Sequence, residues 1–198
     1  PTGTGKTCCF AIPAINLVDV DSPDVQVLVL CPTRELAIQV SNEFQKISKF
    51  TKGLKVCTVY GGQDIDKQII ALKKKPQIVC GTPGRIMDHL RRRTIKIKKI
   101  KMLILDEADE MLNMGFREDL DVILEDVKQE HQTVLFSATM PDGIKRITEN
   151  YQNNAVHIKT TYKDTDIPEI EQYYVELMES NKVDCLSRMI DTYNFKQA

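Results

Sequence analysis

Met102-Leu103-Ile104-Leu105-Asp106-Glu107-Ala108-Asp109 runs four apolar residues straight into an acidic cluster. So short an apolar run, without polar alternation, reads as a strand covered on both faces, and the acids then stand at its C-terminal end. Residues 25–31, 56–60, 77–81 and 133–137 are further runs of this kind, rich in Val, Ile and Leu. Between them, Leu36, Val40, Phe44 and Ile47 recur at helical spacing. Phe116, Leu120, Ile123, Leu124 and Val127 do the same, on a helix whose other face is acidic. Strands alternating with helices over connections of this length predict an α/β fold, a parallel sheet flanked by helices with right-handed crossovers.

Composition narrows the class. The 198 residues are 42% hydrophobic and 28% charged, enough for a real core and too apolar for intrinsic disorder. The 27 Lys and Arg nearly cancel the 28 Asp and Glu, a formal charge of -1, which excludes a uniformly basic DNA-coating protein. No apolar run approaches the roughly 18 residues that cross a bilayer, and no basic-then-apolar leader precedes the fold, so a cytoplasmic setting is expected, or a nuclear one in a eukaryote. The six Cys show no CxxC spacing and the three His are scattered, which argues against a Cys/His metal site.

The register changes near residue 160. Residues 1–159 form the predicted α/β domain, and the polar stretch 160–169, with Pro168, reads as a linker. In 170–198 a strand-like run, 170–177, precedes a helical stripe of Val183, Leu186, Met189 and Ile190.

The chain opens Pro1-Thr2-Gly3-Thr4-Gly5-Lys6-Thr7, ahead of a helical stretch. Glycines let successive backbone N–H groups turn around an anion, and the helix start adds its positive dipole end. Lys6 then reaches the β- and γ-phosphates of a nucleotide, and the Thr7 hydroxyl ligates Mg²⁺. The full loop pattern needs one residue more before Pro1, and a strand feeding it. Asp106, at a strand end opposite such a loop, is placed to hold Mg²⁺, and Glu107 to orient and deprotonate an attacking water. An acidic start to the following helix accounts for Asp109 and Glu110 but not for Asp106.

With these two motifs in hand, the sequence resembles DEAD-box ATP-dependent RNA helicases. Asp106-Glu107-Ala108-Asp109 matches the DEAD box, and the family's other landmarks follow in order. They are the opening loop (motif I), Pro32-Thr33-Arg34-Glu35-Leu36-Ala37 (motif Ia), Gly61-Gly62, Thr82-Pro83-Gly84-Arg85 (motif Ib) and Ser137-Ala138-Thr139 (motif III). Residues 106–116 and 137–141 look most like the bacterial cold-shock members. The resemblance implies a RecA-like P-loop domain lacking its first strand, followed by the start of a second such domain. It implies ATP and Mg²⁺ as nucleotide and metal, and RNA as partner.

Pro32, Thr33, Arg34, Gly61, Gly62, Thr82, Pro83, Gly84 and Arg85 are then the RNA-facing set. All lie just past strand ends, the edge where open α/β sheets take ligands. Such groups read backbone and shape, so sequence-independent binding is expected. Other readings stand beside this one: Gly61-Gly62 as an ordinary turn, Arg34 and Arg85 as structural ion-pair partners. The resemblance implies that Ser137 and Thr139 hydrogen-bond Asp109 and relay nucleotide state; capping of the helix near Pro141 is the alternative.

Residues 91–101 carry seven cations in eleven positions. They lead into the N-terminal end of the 102–106 strand, opposite the edge bearing Lys6, Arg34 and Arg85. A solvated loop or an auxiliary contact is therefore expected rather than the main RNA track. The adjacent Cys8 and Cys9 are expected to pack tightly between helix and sheet.

The expected function is RNA-dependent ATP hydrolysis that unwinds or remodels RNA. An ATP-gated RNA clamp with little unwinding is the second reading. In the family, adenine recognition and the transition-state arginines come from elsewhere, so residues 1–198 alone are expected to be nearly inactive.

Overall fold

The computed structural model describes residues 5–127, 130–159, 171 and 173–193. Two compact units emerge, Pro1–Ala155 and Val156–Ala198.

Five four-residue strands, β1 (Val27–Leu30), β2 (Val56–Val59), β3 (Ile78–Gly81), β4 (Met102–Leu105) and β5 (Gln132–Leu135), build the first unit's sheet. All pairs are parallel, in the order β2-β3-β1-β4-β5. All five had been legible as apolar runs. Helices α1 (Lys6–Leu17) and α2 (Arg34–Ile47) cover one face, where Phe10, Ala14, Val40 and Phe44 meet Val27, Val29 and Ile104. Helices α3 (Ile65–Leu72), α4 (Pro83–Arg91), α5 (Ala108–Asn113), α6 (Arg117–Asp126) and α7 (Asp142–Tyr151) contribute to the opposite core, with Leu28, Leu30, Leu103 and Leu105. Alternate residues of β1 and β4 thus enter opposite cores, and both parities must be apolar.

Three expectations change. The acidic stretch after β4 is two helices, not one. Gly115, at φ 83°, ends α5: its N–H donates to Leu112 O at 3.0 Å and that of Phe116 to Met111 O at 3.0 Å. This paired return satisfies the last carbonyls and turns the chain into α6. Cys8 and Cys9 are exposed rather than packed. Phe10, Ala11 and Ala14 take the sheet side of α1, which rotates the preceding two residues away.

In the second unit, the described residues of 170–177 form no strand. An extended segment without a ladder partner is not stabilised as one. The predicted helical stripe does form, within α8 (Lys182–Tyr193), with Val183, Leu186 and Ile190 exposed. The expected linker, 160–169, lies outside the described residues.

The basic stretch follows α4 and runs along the sheet's N-terminal side. Ile95, Ile97 and Ile100 are buried while Lys96, Lys98, Lys99 and Lys101 are exposed. Its end is fixed there, Lys101 N donating to Gln26 O at 2.7 Å.

Candidate nucleotide and nucleic-acid site

Because every strand runs the same way, their C-terminal ends share one edge. β4 is locked there from both sides: Asp106 N donates to Leu30 O at 3.0 Å, and Phe136 N donates to Leu105 O at 2.8 Å. The chain then turns sharply at Glu107, whose φ of 52° and ψ of 52° are left-handed. A non-glycine residue held there is strained, and such strain concentrates at functional positions. Ala108 N donates to Phe136 O at 2.9 Å and holds the turn in place.

The turn gives neighbouring carboxylates different surroundings. Asp106 is buried, at 4% exposure, whereas Glu107 is half-buried. Burial pushes the Asp106 carboxyl up, the Glu107 charge adds to this, and Lys6 partly opposes both. Lys6 begins α1 directly after Gly5, which takes the left-handed φ of 77°. Thr7 follows on the same first turn and is half-buried. Thr2, Gly3 and Thr4 lie outside the described residues.

A buried carboxylate short of counter-charge suits a cation. Among the described residues no group of three or more His, Cys, Asp and Glu side chains could hold a metal. Mg²⁺ needs few protein ligands, since it keeps waters and phosphate oxygens as its others. Asp106 and Thr7 are the residues suited to this.

Asp109, in the first turn of α5, accepts two hydrogen bonds at one oxygen. Thr139 donates to Oδ2 from its N–H at 2.9 Å and from Oγ1 at 2.7 Å. Burial raises the Asp109 carboxyl, but hydrogen bonding from Thr139, Ser137 and Ala138 together outweighs it and holds the group below its usual value. The Ser137 hydroxyl donates to Thr139 O at 2.6 Å, bracing the loop. Neither residue caps α7, whose N-cap Pro141 has no side-chain bond.

Along the rest of the edge, Pro32 is buried and Thr33 caps α2, its Oγ1 accepting from Leu36 N at 3.2 Å. Arg34 is exposed and pairs with Glu35 at 2.7 Å. A Cβ on Gly62, which has φ 83°, would lie 3.8 Å from the Arg34 guanidinium, so motif Ia and Gly61-Gly62 are neighbours. Thr82 begins α4 without a side-chain cap, with Pro83 at the first helical position. Gly84 faces the carboxylate of Asp119, which would lie 3.6 Å from an added Cβ.

Arg85 is turned inward. Its Nη1 donates to Gln63 O at 2.9 Å and to Gln68 Oε1 at 3.2 Å. Gln68, 2% exposed, donates through Nε2 to Tyr60 O at 2.9 Å and to Gln63 Oε1 at 2.8 Å. Fully buried His89 lies 3.0 Å from Gln68 Oε1 through Nε2 and 2.8 Å from Thr94 Oγ1 through Nδ1. Burial, then the Arg85 charge, lowers its pKa, favouring neutral imidazole. This network ties the Gly61-Gly62 loop to α4 and is absent from the sequence reading. One signal was available: Gln68 occupies the same α3 face as Leu72, a polar residue in a core position.

The comparisons accord with this geometry. Residues 1–147 match the family model described as DEAD/DEAH box helicase. Over 190 residues, 96% of this chain, the sequence is 52% identical to the DEAD-box ATP-dependent RNA helicase CshA of Bacillus cereus (strain ATCC 10987 / NRS 248), of which it covers 36%. Identity to CshA of Bacillus subtilis (strain 168) is also 52%, covering 38% of that protein. The chain thus spans well under half the length of these relatives. Among solved structures, a DEAD box protein from the hyperthermophile Methanococcus jannaschii superposes with a TM-score of 0.78 at 45% identity, over 98% of this chain and 52% of that one. The yeast DEAD-box splicing factor Prp28 gives 0.72 at 33% identity, over 76% of this chain and 38% of that one. With nearly three-quarters of its length inside one family model, and a strained acidic turn at the C-terminal end of β4, the chain belongs to the DEAD/DEAH box helicases.

Proposed function

We propose that this chain is the nucleotide-binding half of an ATP-dependent RNA helicase, active as part of a longer protein. The observation that carries the reading is the β4 terminus, where buried Asp106 is followed by left-handed Glu107 beside the Lys6 helix start. Lys6 and the backbone of residues 2–7 bind the phosphates. Asp106 and Thr7 hold Mg²⁺, which supplies charge stabilisation to the phosphoryl oxygens when bound. Glu107 accepts a proton from the water whose oxygen bonds the γ-phosphorus, and the bond from phosphorus to the bridging β,γ oxygen breaks.

Pro32, Thr33, Arg34, Gly61, Gly62, Thr82, Pro83 and Gly84 present the RNA face, with backbone contacts that ignore sequence. Arg85 supports that face from behind through Gln63 and Gln68. Asp109 and Thr139, braced by Ser137, connect the hydrolytic turn to the loop after β5. Residues 1–159 form this domain, 160–169 connect it onward, and 170–198 begin a second RecA-like domain. Among the described residues no helix is long and apolar enough to cross a membrane, and we assign the protein to the cytoplasm.

The test is ATP hydrolysis with and without RNA. A longer protein containing this segment hydrolyses ATP faster with RNA, and Glu107→Gln suppresses turnover while retaining RNA in the presence of ATP. Normal hydrolysis by that variant overturns the assignment of the base. Residues 1–198 alone hydrolyse ATP negligibly; robust RNA-stimulated turnover by them would refute the need for a second domain.

A further inference from the structure

β2 ends the sheet, so β3 covers only one of its long sides. Gln77 N and Ile78 N donate to Lys55 O at 3.2 and 3.3 Å, and Thr82 N donates to Val59 O at 3.2 Å. The two-residue pleat therefore turns the N–H and C=O groups of Val56 and Thr58 away from β3. That free side opens on a groove of about 770 Å³ between α2 and α3, with Val56, Cys57 and Thr58 along its floor. Gln68 stops the pattern by taking Tyr60 O at 2.9 Å.

The rim of this groove is cationic. Lys49, Lys55, Lys67 and Lys74 line it and are exposed, and no Asp or Glu does so. Among the described residues none of these four pairs with a carboxylate. Lysines often guard sheet edges, but a guard sits on the strand it protects. Here the strand itself, Val56-Cys57-Thr58-Val59, is uncharged and mostly β-branched, and the charge stands around it.

We propose that the free edge of β2 is a docking site for an extended acidic segment of a protein partner, which adds to the sheet as a further strand. Alternating donors and acceptors at strand spacing match a peptide backbone, and the lysine rim matches acidic side chains. A nucleic-acid backbone offers phosphate acceptors but no matching row of donors for the Val56 and Thr58 carbonyls. The site lies on the outermost strand and uses none of the hydrolytic residues.

The experiment titrates the full chain with a short peptide alternating glutamate and valine, read by amide resonances and hydrogen exchange. The Val56 and Thr58 amides are expected to shift and to exchange at least about tenfold more slowly at saturation, as newly paired strand amides do. Lys67→Glu combined with Lys74→Glu should weaken binding about tenfold, as loss of rim charges does. Thr58→Pro removes the outward N–H, a substitution edge strands tolerate, and should abolish binding while the protein still melts cooperatively, a few degrees lower for the lost Thr58–Ser41 hydroxyl bond. If that variant does not fold, the lysine reversals decide alone. Unchanged Val56 and Thr58 amides at millimolar peptide would overturn the proposal. So would equal binding of a lysine–valine peptide, or an oligouridylate that occupies the same amides more tightly.

Discussion

Thr139 donates to Asp109 from its backbone at 2.9 Å and from its hydroxyl at 2.7 Å, so one carboxylate oxygen anchors the whole loop after β5. Hydrogen bonds to a charged group contribute about 1.5–3 kcal/mol when buried, and the exposure of Thr139 puts this one at the low end. Thr139→Val should therefore destabilise the domain by about 1–2 kcal/mol in urea melts. Its pH dependence has a definite sign. Asp109 is held below its ordinary range in the folded state, so this stability is present above the unfolded value of about 3.9 and is lost as pH falls through the folded one. The variant should lose part of the wild-type acid slope; parallel curves would contradict the assignment.

Glu107 provides a second test, because its left-handed backbone costs about 1–2 kcal/mol for any residue with a Cβ. Glu107→Gly should raise the melting temperature of this domain by a few degrees and, if the proposed function holds, reduce ATP hydrolysis by the longer protein at least about a hundredfold. A lower melting temperature would mean that the Glu107 side chain contributes more to folding than its backbone takes away.

Gly81 has no space for a methyl group: a Cβ there would lie 2.5 Å from Val59 O and 2.8 Å from its Cγ2. The obstruction is strand backbone, which cannot rotate aside. Gly81→Ala should cost about 1–3 kcal/mol and lower the melting temperature by roughly 3–10 °C. Since Gly81 leads directly into Thr82 and α4, RNA affinity should fall with it if the proposed function holds.

The buried network predicts a different pH response. His89 titrates lower in the folded protein than in the unfolded chain, so the unfolded state binds the extra proton first. Stability should fall as pH drops below the unfolded value of about 6.5 and level off below the folded one. Gln68→Leu removes the partner of His89 and Arg85 and frees Tyr60 O, and should cost about 2–4 kcal/mol. Urea melts between pH 5 and 8 would check both, with His89→Asn expected to flatten the slope.

Strands were readable because a strand buried on both faces must be apolar at every position, as Val27–Leu30 and Met102–Leu105 are. The acidic turn and the phosphate loop were readable because their chemistry fixes residue types at adjacent positions. What escaped depends on direction and on distant partners. Cys8 and Cys9 look small and packable, but their exposure is decided by which side of α1 Phe10 takes. Arg85 was open to two readings, a phosphate contact or a structural ion pair; its guanidinium lies 3.8 Å from Asp88, but the hydrogen bonds to Gln63 and Gln68, far from it along the chain, were not legible. The break at Gly115 was visible as a glycine, but the acids at 106–110 and 118–126 on either side of it read as one stretch.

The strand order has a consequence for how the chain is made. Of the five described strands β1 is synthesised before the others yet lies between β3 and β4, Val27 pairing with Ile78 on one side and with Met102 on the other. At about 5–20 residues per second, the partner on β3 is translated some 3–10 s after β1, and that on β4 later still. During that interval Val27-Leu28-Val29-Leu30 is a wholly apolar strand with two open edges. The segment most thoroughly protected in the finished molecule is thus the one most exposed to chaperones and to aggregation at birth.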